Sequence, residues 1–326
     1  MLSDEWYQWV IENKLRNIPA DTLIQTMVDK GIDLHLATAA VNNTDSEPLI
    51  EKDYLRLGHK LTSLVEIYQK LAELSANFGK IERRQKLSRQ EFLENYYATN
   101  TPVIITEMMD DWQAMTLWSA DYLKSNYGQA EVEIQVNRNS DPEYEINSNH
   151  HKKIVQLRDY VDLILRSRGT NDYYMVANNG NLEREELKGL LNEIKPLPEF
   201  LDKFNTRGRV FFWFGPAGTI TPLHHDPLNL IMAHVSGHKR WRLISPNQTP
   251  LVYNHVGVFS QVDLENPDYD KYPLFKNVKV LEVVLEPGEM IFVPVGWWHQ
   301  VKALDISIAV SFTNFVFPNQ FNYQDS

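Results

Sequence analysis

Two short segments contain the residues whose types and spacing could bind a catalytic metal. Residues 221–226 read TPLHHD, and residues 296–299 read GWWH. His224 and Asp226 form a His-x-Asp pair, and His299 is a third candidate ligand far along the chain. Two imidazoles and one carboxylate are the ligand set of a mononuclear non-haem iron centre, in which they occupy one face of the metal. Three positions then stay open for chemistry.

The spacing of the pair fits a β-strand, on which side chains alternate between two faces. His224 and Asp226 therefore point the same way and can bind one ion. His299 must arrive from another strand. Turn signals at residues 287–288 and 294–296 bracket a short apolar strand and predict that His299 lies at the start of the next one.

A lysine lies between the two ligand segments, at the start of a further predicted strand. Residues 229–235 are an apolar run of strand length, residues 236–237 read Ser-Gly, and residues 239–245 alternate as a returning strand. A two-residue turn of this type predicts a hairpin. We therefore expect Lys239 to begin a strand antiparallel to the one that carries the metal pair, within reach of a bound anion.

The segment from about Ser88 to the C-terminus resembles the JmjC, or cupin-like, branch of the Fe(II)- and 2-oxoglutarate-dependent oxygenases. Residues 221–226, 237–240 and 287–299 match three blocks of that family in order and spacing. The chain is especially similar to the asparaginyl hydroxylases that inhibit hypoxia-inducible factor and to bacterial cupin-like hydroxylases. Agreement of three separated blocks is far more specific than a single His-x-Asp motif.

The resemblance implies a mainly β fold, a double-stranded β-helix or jelly roll with flanking helices, and an all-helical N-terminal region. Residues 83–326 would form the JmjC/cupin-like catalytic domain. His224, Asp226 and His299 would be the ligands of Fe(II), with 2-oxoglutarate as co-substrate and O₂ as oxidant.

The same resemblance implies which residues bind the co-substrate. Lys239 would pair with the distal carboxylate of 2-oxoglutarate, and Thr221 and Tyr174 would donate hydroxyl hydrogen bonds to it. Because Tyr173 is adjacent, either tyrosine could take this role. On a regular strand Thr221 would point to the face opposite that of the metal ligands. Its hydrogen bond to the co-substrate therefore requires a local irregularity of the strand, which the adjacent proline would allow.

The sequence departs from the asparaginyl hydroxylases at positions that contact the co-substrate there. One asparagine corresponds to Leu230, with Asn229 one residue earlier, and a second corresponds to Ser311. A nearby tryptophan corresponds to Thr313. Asn229 and Ser311 are therefore the candidates for these contacts, and the substrate preference of that group does not transfer directly.

Composition narrows the class of partner. The chain has 326 residues, of which 43% are apolar, enough for one large core and a smaller appendage. Its 43 acidic and 32 basic residues give a net charge of −11, which argues against a nucleic-acid-binding surface. There is no cysteine, no signal-like apolar run at the N-terminus and no membrane-length apolar segment. These features predict a cytoplasmic protein without disulfides, thiolate metal sites or membrane contact.

Residues 1–82 are predicted to be helical and separate from the barrel. Three short helices precede a polar linker at residues 42–48, and a capping-box sequence at residues 88–91 opens the mixed α/β region. A heptad stripe follows the linker. It consists of Leu57, Leu61, Leu64, Tyr68, Leu71 and Phe78. The stripe either packs on the barrel or pairs with a second copy, which makes this region a docking or homodimerisation module.

The reaction that the resemblance implies is hydroxylation of an amino-acid side chain in a peptide or protein, with consumption of O₂ and release of succinate and CO₂. A hydroxylase of a free small molecule is the alternative within the enzyme class. A non-catalytic metal-binding cupin is the alternative outside it, although a mere binder would not need Lys239. Histone demethylation is disfavoured, because no chromatin-reader motif or basic surface accompanies the barrel.

Overall fold

The computed structural model describes residues 2–16, 18–43, 50–75, 78–177, 179–195 and 197–321. The chain divides into two compact units. The helical unit comprises Met1–Phe78, Asn247–Tyr253 and Glu265–Val278, and the barrel unit comprises Gly79–Pro246, Asn254–Leu264 and Lys279–Ser326. The division predicted at residues 82 and 83 assigns the two later segments to the catalytic domain, whereas the structure groups them with the N-terminal helices.

The N-terminal part of the helical unit consists of amphipathic helices with a small shared core. The helices are α1 (Asp4–Leu15), α2 (Ala20–Asp29), α3 (Leu34–Asn43) and α4 (Ile50–Ala72). Trp9, Leu23, Met27 and Val41 from the first three helices are buried. Helix α2 ends before Gly31, whose φ of +88° lies in the left-handed region that favours glycine.

Helix α4 carries the predicted heptad stripe on an exposed face. Leu61, Leu64, Tyr68 and Leu71 are between 51% and 61% exposed. The side chain of Leu57, the first member of the stripe, lies outside the described residues. The described part of the chain therefore does not bury the stripe, and its pairing with a second copy stays a prediction.

The barrel unit is built mainly from strands, with short helices around them. Its strands are β1 (Glu82–Gln85), β2 (Val103–Thr106), β3 (Glu131–Val136), β4 (Lys152–Gln156), β5 (Tyr173–Tyr174), β6 (Val210–Gly215), β7 (Ile220–His225), β8 (Leu230–Ser236), β9 (Lys239–Ile244), β10 (Leu281–Leu285), β11 (Met290–Val293), β12 (Trp298–Ala303) and β13 (Ser307–Phe312). Its helices are α5 (Arg89–Phe92), α6 (Ala114–Leu117), α7 (Ala120–Tyr127), α8 (Ser148–His151), α9 (Leu157–Arg166) and α10 (Gly189–Asn192). Ser88 and Glu91 make the predicted capping box of α5.

The strands from β6 onward form two sheets that face each other. One sheet has the order β1-β2-β11-β8-β13-β6, and the other has the order β10-β9-β12-β7. Strands β3, β4 and β5 form a separate small sheet. Successive strands from β6 to β9, and from β10 to β13, alternate between the two large sheets, which is the jelly-roll pattern. The predicted double-stranded β-helix with flanking helices and a helical N-terminal region is confirmed.

The predicted hairpin between residues 229–235 and 239–245 is wrong. Strands β8 and β9 lie in different sheets, and β9 runs parallel to β7, because both pair antiparallel with β12. Gly237 crosses from one sheet to the other with a φ of +77°, and a Cβ there would lie 2.2 Å from the carbonyl oxygen of Ile306. Both strands bury apolar side chains between the two sheets, so the turn changes sheet instead of folding the strands onto each other.

The larger sheet has an apolar layer on each side. Met232, Trp241 and Ile291 belong to the buried cluster shared with the second sheet. On the opposite side, the sheet packs against the flanking helices through an aromatic cluster that includes Phe92 and Phe292, whose ring centroids are 4.9 Å apart. Because both faces of the sheet are packed, the strands are held rigidly. The sheet register therefore determines the positions of the side chains at the open end of the barrel.

The exposure of the α4 stripe makes a testable prediction. The double variant Leu61→Glu/Leu64→Glu should change the stability of a monomeric chain by less than about 0.5 kcal/mol, because the side chains are already exposed and glutamate is a good helix former. The matched control Leu23→Glu introduces charge into the core of the same unit and should destabilise it strongly. Thermal unfolding measures both.

Light scattering tests the dimer. If a second copy covers the stripe, the wild-type chain is dimeric and the double variant is monomeric, because glutamates would face each other across a twofold seam. A monomeric wild-type chain would contradict the homodimer. If the wild-type chain is monomeric, a large loss of melting temperature in the double variant would instead contradict the exposure of the stripe.

Candidate metal centre and co-substrate pocket

The structure brings the three predicted metal ligands together. His224 lies in β7, Asp226 follows the end of that strand, and His299 lies in β12 directly opposite His224. One ligand atom from each residue lies within 4.8 Å of the others, and His299 Nε2 is 3.7 Å from Asp226 Oδ2. Separations of this size suit donors that share one ion rather than bond to each other.

The hydrogen bonds of the two imidazoles leave the same nitrogen available on each. His224 Nδ1 lies 2.8 Å from the carbonyl oxygen of Pro222, and His299 Nδ1 lies 2.9 Å from that of Trp297. A carbonyl oxygen only accepts, so each Nδ1 donates and each Nε2 keeps its lone pair. Burial lowers the pKa of His299 to about 4, so this ring is neutral near pH 7, as a metal ligand must be.

A β-bulge turns Thr221 to the same side as the metal ligands. His299 is opposite His224 and Val301 is opposite Thr221, so two steps along β12 match three steps along β7. The extra residue lies next to Pro222, which has no N–H to lose from the ladder. The irregularity that the sequence required for Thr221 is therefore present. Thr221 and His224 both line one cavity.

This cavity has a volume of about 550 Å³ and lies entirely within the barrel unit. The three candidate ligands line it together with Lys239 and Tyr174. Its apolar lining includes Trp213, Leu230, Met232, Trp241, Val258, Phe259 and Val301. A mostly apolar cavity with a few converging polar groups is typical of a small-molecule site.

Lys239 is the buried cation of the cavity. Its side chain is 1% exposed, and its Nζ donates to the hydroxyl of Tyr174 at 2.9 Å. In the described parts of the chain, Lys239 has no carboxylate partner. Burial lowers its pKa to about 7, because the charged form loses its hydration. Such a lysine is poised to gain charge when an anion binds beside it.

The structure distinguishes the two adjacent tyrosines. Tyr174 is buried in the cavity wall, whereas the hydroxyl of Tyr173 donates to the carbonyl oxygen of Leu163, away from the cavity. Burial also raises the pKa of Tyr174, so its hydroxyl stays protonated and can donate. Gly215 makes room for the ring, because a Cβ at this position would lie 2.6 Å from it.

The two remaining co-substrate candidates differ in position. Ser311 lines the cavity, and its Oγ accepts a hydrogen bond from Trp213 Nε1 at 2.8 Å. Asn229 does not line it: its Oδ1 accepts from the backbone N–H of Val295, and its own backbone bonds to the side chain of Asn319. Leu230 faces the cavity, so strand alternation turns Asn229 to the opposite side.

Arg138 and Glu145 are parts of the site that the sequence did not reveal. Arg138 is fully buried, donates to Glu145 Oε1 at 2.7 Å, and lies with its guanidinium 5.3 Å from the ring centre of Tyr174. Glu145 also lines the cavity. Both lie in a polar stretch without periodicity, where a charge normally indicates a solvated loop. No local signal distinguishes them.

Comparisons with known proteins agree with this geometry. Residues 88–321 match the family model described as a cupin-like domain. The chain is 32% identical over 281 residues to lysine-specific demethylase JMJ30 of Arabidopsis thaliana, covering 81% of this chain and 62% of that protein. It is 33% identical over 238 residues to lysine-specific demethylase 8 of Danio rerio, covering 69% and 56% of the two chains.

A third relative is not named as a demethylase. The chain is 28% identical over 241 residues to tRNA wybutosine-synthesizing protein 5 of Gallus gallus, covering 69% of this chain and 74% of that protein. The chain spans between 56% and 62% of the length of the two demethylase relatives. Among the helices of the described residues, none combines the length and the apolar composition that a membrane span requires.

The matched region contains all three candidate ligands and Lys239, so the family match and the site geometry concern the same part of the molecule. The resemblance of the three sequence blocks is thereby confirmed. The chain belongs to the JmjC, or cupin-like, family of Fe(II)- and 2-oxoglutarate-dependent oxygenases.

Proposed function

We propose that this protein is an Fe(II)- and 2-oxoglutarate-dependent oxygenase that hydroxylates a side chain of a peptide or protein. The observation that carries the proposal is that one cavity contains both the His-Asp-His cluster and the buried cation Lys239. Iron bound at this site supplies the coupling of 2-oxoglutarate decarboxylation to C–H hydroxylation by O₂. The protein contributes binding, orientation and electrostatics.

Each residue of the cavity has a physical role in this proposal. His224, Asp226 and His299 would hold the metal, and all three line the cavity. Lys239 pairs with the distal carboxylate of 2-oxoglutarate, and Tyr174 and Thr221 donate to it. Hydroxyls that are already fixed by the fold lose little entropy when they bind the co-substrate.

The apolar wall excludes water from the reacting groups. The rings of Trp241 and His299 stack with their centroids 5.8 Å apart. Lys239 Nζ lies 5.6 Å from the ring centroid of Trp213. A dry environment strengthens the attraction between the lysine and an anion and limits side reactions of the oxidant. An anionic co-substrate meets net repulsion from a chain of charge −11, so this local cation has to offset it.

Two polypeptide-modifying reactions use the same first step. Hydroxylation of a side-chain carbon gives a stable alcohol, whereas hydroxylation of an N-methyl group gives a product that loses formaldehyde. The names of the two demethylase relatives support N-methyl-lysine demethylation as a second candidate, although the sequence lacks a chromatin-reader motif. A non-catalytic cupin has less support, because it would have no co-substrate for the buried Lys239 to bind.

One experiment separates these candidates. The purified chain is incubated with Fe(II), ascorbate and 2-oxoglutarate, and succinate is measured with pools of unmodified peptides and of methyl-lysine peptides. The proposal predicts succinate formation with a mass gain of one oxygen atom on an unmodified peptide. Loss of one methylene from a methyl-lysine peptide would establish demethylation instead. Absence of succinate with every substrate and without substrate would contradict the oxygenase.

The metal cluster gives a first prediction. Asp226→Ala removes one of three protein ligands and should weaken metal binding by at least about tenfold and abolish succinate production, while the fold survives. Binding of Mn(II) to the protein without co-substrate is followed by electron paramagnetic resonance. His35→Ala is the matched control, because His35 is exposed and is not in the cluster. Undiminished turnover by Asp226→Ala would overturn the assignment.

The depressed pKa of Lys239 gives a second prediction. The Mn(II)-loaded protein should bind 2-oxoglutarate more weakly as the pH rises above 7, approaching about tenfold for each pH unit, because the lysine must regain a proton to pair with the carboxylate. Lys239→Met should bind it about 10 to 1000 times more weakly, with no such pH dependence. Calorimetry in the absence of O₂ measures both affinities.

The same variant should be more stable than the wild type at pH 6. The folded-state pKa of Lys239 lies below its unfolded value, so the cost of burying the charge is fully present below pH 7 and declines as the pH rises toward 10.5. Lys239→Met removes that cost, and its melting temperature without ligand should rise at pH 6. For the binding prediction, the contradicting result is a Lys239→Met variant whose 2-oxoglutarate affinity depends on pH as in the wild type. That result would show that another cation holds the carboxylate.

A further inference from the structure

The connection between β9 and β10 belongs to both units of the protein. Residues 247–253 and 265–278 are part of the helical unit, whereas residues 254–264, here called the central loop, are part of the barrel unit. Both ends of the central loop therefore continue directly into segments that the N-terminal helices hold. An eleven-residue loop fixed at both ends has few conformations open to it.

The central loop pairs with the strand that carries a metal ligand. Strand β7 is at the edge of its sheet. The N–H of His225 donates to the carbonyl oxygen of Val258 at 3.0 Å, and the N–H of Ser260 donates to that of Leu223 at 3.0 Å. These two bonds lie on either side of His224. The loop thus satisfies the open edge of β7 at the position where the metal ligand sits.

The loop also forms a wall of the cavity beside the metal cluster. Phe259 stacks against the imidazole of His224, with ring centroids 5.8 Å apart and an interplanar angle of 30°. Val258 and Phe259 both line the cavity. A displacement of the loop would therefore remove a packing partner and two flanking hydrogen bonds from a metal ligand.

The N-terminal end of the loop is anchored on helix α1. Tyr253, the residue before the loop, is fully buried with a φ of +52°, an unusual conformation for a residue with a side chain. Its hydroxyl donates to Asn13 Oδ1 at 3.0 Å, and the guanidinium of Arg16 lies 4.6 Å from its ring centre. Arg16 Nε also donates to the carbonyl oxygen of Pro250 at 2.9 Å.

The segment that follows the loop contacts the same helix at Lys271, whereas the carbonyl oxygen of Leu264 at the end of the loop accepts a hydrogen bond from Arg242 Nη1 at 2.7 Å. Trp9 Nε1 donates to the carbonyl oxygen of Lys271 at 2.9 Å, and Glu5 pairs with the ammonium of Lys271 at 3.1 Å. The hydroxyl of Tyr253 accepts a hydrogen bond from the N–H of Leu274 at 3.2 Å, which ties the two anchoring segments to each other. Strain at Tyr253 persists because these contacts over-determine its position.

From these contacts we infer that Tyr253 and Asn13 are positioning residues for the metal site. Helix α1 holds the residue that leads into the central loop, and the loop in turn packs on His224 and closes one wall of the cavity. This inference goes beyond the proposed function, since the placement of the loop does not depend on the reaction.

The competing explanation is that the loop holds itself in place. Asn254 Nδ2 donates to the carbonyl oxygens of Gly257 and Phe259, and the N–H of His255 donates to that of Phe259. These bonds fix the internal shape of the loop. If they were sufficient, changes in helix α1 would leave the pairing of the loop with β7 unaltered.

Hydrogen exchange of the metal-free, full-length protein distinguishes the two explanations. Tyr253→Phe removes the bridging hydroxyl and keeps the ring, and Asn13→Ala removes its partner. Both should accelerate exchange of the His225 and Ser260 amides by about tenfold or more, while amides of β12 paired with β9 keep their protection. Gln8→Ala, at an exposed position of the same helix, is the control and should change neither.

Unaltered exchange at His225 and Ser260, with faster exchange in α1, would overturn the inference. If the amides of β12 also lose protection in Tyr253→Phe, that variant is too disruptive for the test. Arg16→Ala is then used in its place, because it removes only the hydrogen bond to Pro250 and the contact with the Tyr253 ring. As a second readout, Tyr253→Phe should weaken Mn(II) binding by about the same factor as Phe259→Ala. Both measurements are made without turnover, so a failure of the proposed reaction would leave them intact.

Discussion

The site depends on the antiparallel pairing of β7 with β12, because this pairing places His224 opposite His299. Two imidazole nitrogens and one carboxylate oxygen must converge on one point without bonding to each other. A regular antiparallel ladder would bring the metal ligands together but would point Thr221 away from the cavity. The bulge beside Pro222 turns Thr221 to the face of the metal ligands. The carbonyl oxygens two residues upstream, those of Pro222 and Trp297, orient the two imidazoles. Backbone geometry thus sets both the ligand positions and the tautomers.

A second constraint is electrostatic. The barrel buries Lys239 with a tyrosine hydroxyl as its hydrogen-bond partner, and burial depresses its pKa to about 7. This arrangement reduces stability in the free protein, since a buried charge without a counter-ion is unfavourable. It favours an anion that brings the missing charge and fits between the lysine and the metal. Function and stability are therefore opposed at this residue, as is common at preorganised sites.

The sequence predicted the parts of the site that local patterns and motif spacing determine. The His-x-Asp spacing and the third histidine pointed to the metal cluster, the family resemblance pointed to Lys239 and to an irregularity at Thr221, and a short-range pattern predicted the capping box at Ser88. The β8–β9 hairpin was wrong because a Ser-Gly turn does not reveal which sheet each strand joins. Arg138 and the anchoring contacts of helix α1 could not be predicted, because they join residues from distant parts of the chain and carry no periodic pattern.

In the proposed function, the His-Asp-His cluster and Lys239 form one co-substrate site. A crystal structure of the protein with Mn(II) and 2-oxoglutarate, grown without O₂, tests it most directly. We expect metal density between His224 Nε2, His299 Nε2 and Asp226, with a carboxylate of 2-oxoglutarate within hydrogen-bond distance of Lys239 Nζ. Metal bound elsewhere, or 2-oxoglutarate with both carboxylates away from Lys239, would contradict it.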